Sequence, residues 1–150
     1  MRSANVYQLR DRYFVYPLRK TTAGVWLASA EFVSMPLSAL DNDLGAAVLA
    51  ALQQSDGVVP HPTSWTEVAN SRLRAAGAKS EKTFMTNARL VAIKSTDLIE
   101  LEPHMNGGAK GPQKGFSPVP GCSSTLPTNA SSEELGVAIR KSLGACGSEL

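Results

Sequence analysis

Apolar and polar positions alternate near the N-terminus, with the period of a β-strand. Residues 6–10 and 13–18 form two such runs around a turn at Asp11 and Arg12. The second, YFVYPL, is rich in the aromatic and β-branched residues that suit a pleated, half-buried surface. Pro17 puts the end of this strand near a sheet edge, because proline has no N–H to donate to a central ladder. After Gly24 comes VWLASAEFV, in which Trp26, Ala28, Ala30 and Phe32 alternate with Val25, Leu27, Ser29, Glu31 and Val33. The first set is apolar throughout. Residues 25–33 therefore predict one strand with that set facing the core, and Pro36 ends it.

Beyond Pro36 the period lengthens. Leu44, Ala47, Val48, Ala51 and Leu52 recur at the spacing of one buried helix face. Asp41 or Asp43 is placed to cap the start of this helix and to complement its dipole. Pro60 and Pro62 cannot continue the pattern. A second helix is expected over residues 65–75, with Trp65, Val68 and Leu73 inward and Gly77 just past its C-terminus. Phe84 and Met85 lie in a segment whose pattern assigns no element. RLVAIKS and DLIELEP then alternate around a turn at Ser95 and Thr96 and predict a hairpin. In its second arm Asp97, Ile99 and Leu101 share one face, and Leu98, Glu100 and Glu102 share the other. NGGAKGPQKG, residues 106–115, is a loop by its glycines and proline. A short strand over 116–119 and an irregular link lead to a last helix.

That last helix repeats the first. A shift of 91 residues lays Gly24 on Gly115, Pro36 on Pro127, Leu44 on Leu135, Gly45 on Gly136, Ala47 on Ala138, Val48 on Ile139 and Leu52 on Leu143. The stripe recurs as Leu135, Ala138, Ile139, Leu143 and Cys146, and Ser131 with Glu134 has the pattern of a capping box. Two copies of a strand–loop–helix unit, related by a pseudo-twofold axis, are the expectation. Gly45 and Gly136 each cost ~1 kcal/mol in a helix relative to alanine, so a close backbone approach at both is expected. The fold class is α+β: one domain over residues 1–150, a mainly antiparallel sheet with helices packed on it.

Charge and cysteine usage narrow the function. Fifteen basic residues against 13 acidic ones give a formal net charge of +2, too small an excess to mark a nucleic-acid or membrane surface. Cys122 and Cys146 have no CxxC spacing and are expected as free thiols in a reducing compartment. Charges interrupt the N-terminal residues, and no run approaches the ~18–20 apolar residues of a membrane span. A cytoplasmic location is expected.

Candidate chemistry is sparse. His61 sits between two prolines and is expected to be solvated. His104 follows Glu100, Glu102 and Pro103, which allows an acid–base pair and, with it, the alternative of a small enzyme with a dispersed site. Neither histidine has cysteines or carboxylates at a zinc-ligand spacing, so neither metal nor cofactor is expected. The glycine loop fails the P-loop pattern, since Pro112 and Gln113 stand where the second glycine would be. Lys110 and Lys114, with Arg72, Arg74, Lys79 and Lys82, support a further alternative, an RNA-binding adaptor. There is no Gly-x-Ser-x-Gly elbow. Asp97, Glu100 and Glu102 concentrate acid on one strand without serving a helix start.

With the repeated helices in view, the chain resembles the immunity proteins of bacterial contact-dependent growth inhibition systems. MPLSALDNDLGAAVLAALQQS, LPTNASSEELGVAIRKSLGAC and the hairpin between them carry the resemblance, which covers most of the chain from Gly24 onward. It implies a non-enzymatic cytoplasmic protein that binds and neutralises a cognate toxin, the C-terminal domain of a large exoprotein, as a monomer in a heterodimer. Toxins of such systems are often nucleases, frequently cutting tRNA. The family has no universal functional residues, so no site transfers from it. A basic nuclease surface would complement Glu100, Glu102 and Asp97, with Lys110 and Lys114 on the neighbouring loop completing the candidate toxin-binding set.

Overall fold

The computed structural model describes residues 1–28 and 31–146. The chain opens with four strands: β1 (Arg2–Gln8), β2 (Arg12–Thr21), β3 (Trp26–Ala28) and β4 (Val33–Pro36). Helix α1 (Asp41–Gln54) follows, then the short β5 (Val58–Val59) and helices α2 (Trp65–Ala76) and α3 (Glu81–Met85). Strands β6 (Arg89–Ser95), β7 (Leu98–Asn106), β8 (Phe116–Pro118) and β9 (Ser124–Pro127) lead into α4 (Ser132–Gly144). The strands pair in the order β3-β2-β1-β6-β7-β8, with β4 also on β2 and β9 also on β7. Every pairing is antiparallel except that of β5 with β2. The α+β expectation holds.

Helices α1 and α4 cover one face of the sheet. Strand alternation turns Ala4, Val6, Val15, Val91, Ile93, Ile99 and Leu101 to that face, beneath Leu44, Val48 and Leu52 of α1 and Leu135, Ile139 and Leu143 of α4. Each large side chain buried here contributes about 1.5–3 kcal/mol of transfer free energy. The helices touch through their glycines: a Cβ on Gly45 would collide with the backbone of Ser132, and one on Gly136 with the backbone of Asp41. Ser131 and Glu134 close the capping box at the start of α4. The start of α1 differs from expectation. Leu40 is its N-cap and supplies no side-chain bond. Asp41 instead takes the guanidinium of Arg140, which also donates to the Tyr13 hydroxyl at 2.7 Å and to the Ala39 carbonyl.

The other face is aromatic over β2 and β1. Tyr7, Phe14 and Tyr16, with Leu90 of β6, pack under Ala76 of α2 and Phe84 and Met85 of α3. The periodicity at Phe84 and Met85 is hard to read because α3 is a helix of 5 residues, too short to show a stripe. Ser80 caps it by accepting from the Thr83 amide at 3.2 Å.

Several elements depart from the sequence expectation. The run 25–33 is two strands that pair with different stretches of β2, Ala28 opposite Leu18 and Val33 opposite Val15. Trp26 and Phe32 are half-buried; Ala30 lies outside the described residues. Trp65, expected inward, is 50% exposed, because α2 buries its C-terminal end. The first turn comes earlier than expected, closed by the Leu9 amide on the Arg12 carbonyl at 2.8 Å. The link before the last helix contains β9, whose four residues are too few for a readable alternation. Pro17 does lie at a local edge: opposite β1, strand β4 accompanies residues 12–15 of β2 and β3 accompanies 18–20, leaving Pro17 between partners.

Candidate functional site

The face away from α1 and α4 changes character from β1 to β7. Because Ile99 and Leu101 point into the helix-covered core, alternation turns Leu98, Glu100, Glu102 and His104 to the opposite face. The hairpin register sets Lys94 across from Glu100 and Ala92 across from Glu102. Asn5 lies across from Ala92, and Thr125 of β9 lies across from Glu100. The result is a polar patch in which Lys94 and Thr125 are exposed and Asn5, Ala92, Glu100 and Glu102 are half-buried.

His104 is held by its own strand. Its Nδ1 lies 3.0 Å from the Glu102 carbonyl oxygen, which only accepts, so Nδ1 carries the proton and donates. Nε2 lies 3.6 Å from the Glu102 carboxylate. The acid–base pair imagined from sequence therefore exists as a contact, and the backbone of His104 also borders the Cys146 thiol. His61 is elsewhere: its Nδ1 is 2.9 Å from the Thr21 hydroxyl, and its ring stands edge-on to Trp65 at 5.5 Å. Among the described residues, no group of three or more His, Cys, Asp and Glu side chains is placed to hold a metal ion.

The five candidate toxin-binding residues do not gather. Asp97 is exposed in the turn between β6 and β7, where the Thr96 amide donates to the Leu98 carbonyl at 3.0 Å. Lys110 and Lys114 are exposed on the glycine loop beyond the far end of β7, about 25–30 Å away along an extended strand. Only Glu100 and Glu102 share a surface. The loop is pinned by Asn106, a fully buried side chain whose amide donates to the Met85 and Ala88 carbonyls at 2.7 and 2.8 Å and accepts from the Gly108 amide at 2.8 Å. It stands between the strand residue Met105 and the glycines of the loop, so nothing in the sequence signals this anchoring role.

The basic face imagined for RNA is broken up. Arg72 turns inward, its guanidinium 4.7 Å above the Phe84 ring and 2.5 Å from the Glu81 carboxylate, while Arg74 pairs with Glu67 at 3.0 Å. Arg72 also approaches a tyrosine pair the sequence reading passed over. The Tyr16 hydroxyl donates to that of Tyr7 at 3.3 Å. Burial first, then Tyr16, pushes the Tyr7 phenol well above its usual value, and Arg72 opposes the shift. Both cysteines are free: Cys122 is exposed, and the Cys146 thiol, 3.2 Å from the Leu90 carbonyl, is raised by burial.

A groove of about 550 Å³ runs between β3 and the start of α2, with Leu27, Phe32, Pro62 and Val68 on its walls. The Arg19–Glu31 ion pair, at 3.0 Å, lies along it. Among the described residues no helix is long and apolar enough to cross a membrane.

No family model matches the sequence, and no curated protein matches it. Solved structures do. A chain of the CdiA-CT/CdiI toxin and immunity complex from Yersinia pseudotuberculosis is similar at a TM-score of 0.74 and 17% identity, covering 97% of each chain. The protein of unknown function NMB0488 from Neisseria meningitidis is similar at 0.73 and 16% identity, covering 97% of this chain and 94% of its own. At these identities the likeness is one of fold: the chain has the fold of a component of a toxin–immunity complex, over 97% of its length.

Proposed function

We propose that this chain is an immunity protein of contact-dependent growth inhibition. It binds the C-terminal toxin domain of a large exoprotein in the cytoplasm, one to one, and neutralises it. The observation that carries the reading is the full-length fold match to a chain of a toxin and immunity complex, 97% of both chains. Neutralisation by occlusion needs a shaped, charged surface and no reaction of its own. The toxin in this reading is a nuclease, a tRNA-cutting enzyme among the options, whose substrate-binding surface is basic. Glu100 and Glu102, side by side on one face, supply the complementary charge and steer association.

Co-expression tests the reading directly. Cells producing the toxin domain encoded beside this gene should survive only when the chain is present, and the two should co-purify. Continued killing in the presence of folded chain would overturn it. Steering has its own readout. Reversing both Glu100 and Glu102 to lysine should slow association about tenfold at low salt and much less at high salt, with dissociation changing less. An unchanged association rate at both salts would remove the pair from the binding surface.

A further inference from the structure

The two ends of the sheet carry one pairing scheme. In the first, β1 pairs with β2, and β2 with β3 and β4; in the second, β6 pairs with β7, and β7 with β8 and β9. One residue mapping reproduces the registers. Val15 opposite Val33 becomes Leu101 opposite Ser124, Arg12 opposite Pro36 becomes Leu98 opposite Pro127, and Leu18 opposite Ala28 becomes His104 opposite Pro118. Val6 opposite Val15 becomes Ile93 opposite Leu101. Where the halves meet, Asn5 faces Ala92, with Ala4 facing Ile93 and Val6 facing Val91, so the same mapping exchanges β1 and β6 about that pair. The glycine contacts obey it as well, Gly45 on Ser132 and Gly136 on Asp41. Reciprocity of this kind is the mark of a twofold relation, in which residue i meets j and j meets i.

The mapping pairs the two halves of the face away from α1 and α4, position by position. Phe14 corresponds to Glu100, Tyr16 to Glu102 and Tyr7 to Lys94. The first of each pair is buried beneath α2 and α3, where the Phe84 ring stands edge-on to Tyr7 at 5.0 Å. The second of each pair is charged, and none belongs to the cluster those helices cover. The segment carrying α2 and α3 lies between the two copies and matches neither. It delivers a cation, Arg72, to the tyrosine pair; on the mate face, Lys94 and Glu102 occupy the corresponding places, with Glu100 beside them.

We propose that the chain is a fused duplicate whose mate faces have diverged: its own α2–α3 segment closes one, and the other, spanning Asn5, Ala92, Lys94, Glu100, Glu102 and Thr125, docks an arginine- or lysine-bearing element of a protein toxin. The surface rests on the immunity reading above. Two carboxylates against one lysine make the patch locally acidic on a chain of net positive charge, the complement a basic partner requires. The covered mate face shows that this sheet geometry accepts a packed helical segment with a cation at its edge.

The test is calorimetric titration of the intact chain with the purified toxin domain encoded beside its gene. Ala92→Arg puts a long side chain at the middle of the patch, and Thr125→Arg does so at an exposed position where folding is not at risk. Val137→Arg, on the exposed side of α4, is the control. Both patch variants should weaken binding by ~30-fold or more while the control stays within about twofold. Wild-type chain that binds while Thr125→Arg and every folded Ala92→Arg preparation bind equally well overturns the surface and leaves the immunity reading standing. Wild-type chain that fails to bind overturns both.

Discussion

Replacing Gly45 by alanine adds one methyl group at the crossing of α1 and α4. Its Cβ would stand 2.6 Å from the carbonyl carbon of Ser132 and 3.0 Å from the Gly136 amide nitrogen. Gly136→Ala meets Asp41 the same way, 2.5 Å from its carbonyl carbon and 2.8 Å from its Cα. Both obstacles are backbone, so no side-chain rotation relieves the overlap. Contacts between carbons are comfortable at ~3.5–4.0 Å, and the Ser132 and Asp41 carbonyl oxygens stand nearer still, which means the helices must part by more than about 1 Å. Parting them loosens Leu44, Val48, Leu135 and Ile139, all fully buried. Overpacking costs about 1–3 kcal/mol, and a clash with main chain belongs at or above the top of that range. Alanine's better helix propensity offsets ~1 kcal/mol. Each variant should therefore lose about 2 kcal/mol, near 4–8 °C in Tm for a chain of this size. One separation relieves both clashes, so the double variant should lose clearly less than the sum. Urea unfolding followed by circular dichroism reads all three. A Gly45→Ala protein with a midpoint at or above wild type would refute the close-approach argument.

Asn106→Ala leaves the Met85 and Ala88 carbonyls without their donor and should destabilise by about 2–4 kcal/mol, with amide exchange rising first in α3; a loss under about 0.5 kcal/mol would show that the amide does not pin that segment. Tyr7 sets a pH dependence. Its folded pKa is raised, so the unfolded chain releases the phenolic proton near pH ~10 while the folded chain keeps it. The folded state then binds more protons, and its stability, complete below that pH, falls as pH rises further. Tyr7→Phe should flatten the fall in urea midpoints above pH ~10, and an unaltered slope would count against the assignment. His104→Leu installs the residue found at the mate position Leu18; it should fold normally and leave protection within a few-fold of wild type, whereas complete loss in a folded variant would restore the enzyme alternative.

How much of this was legible in the sequence follows from element length and from how many strands cover a position. The long elements announced themselves. α1 and α4 show their stripes, and the β6–β7 hairpin its alternation, because each buries one face against a single partner layer. The capping box at Ser131 and Glu134 was readable because its chemistry is local. The run 25–33 misled because alternation persists across a change of pairing partner along β2. Trp65 misled because hydrophobicity alone does not say which end of an amphipathic helix reaches the sheet. The shift of 91 residues reached only the stretch with a fixed register; β1, β2 and β3 correspond to β6, β7 and β8 at other offsets, and a single slide of the sequence cannot find them. Glu100 and Glu102 stood out by composition, and alternation put them on one face. Asn106 could not be singled out, since its partners Met85 and Ala88 lie far away in sequence and the glycines after it mark only a loop.

The composition of the two mate faces has a physical cause in what covers each. A row such as Phe14 and Tyr7, left uncovered, would expose contiguous aromatic surface, and such patches drive association with whatever protein is near. Under α3 the same row gains dispersion contacts and loses water, so aromatic residues are stable there. Glu100 and Lys94 lie outside the cluster that α2 and α3 cover, and charged side chains there keep the sheet hydrated and the protein dispersed. On the docking proposal charge also suits this surface, since carboxylates attract a basic surface at range and repel acidic ones, selecting by sign before shape is tested. Side chains at strand positions of this kind can be exchanged without moving the backbone, because Ile99 and Leu101 on the reverse face hold the strand in register. On the docking proposal, partner choice on this scaffold is thereby separated from folding.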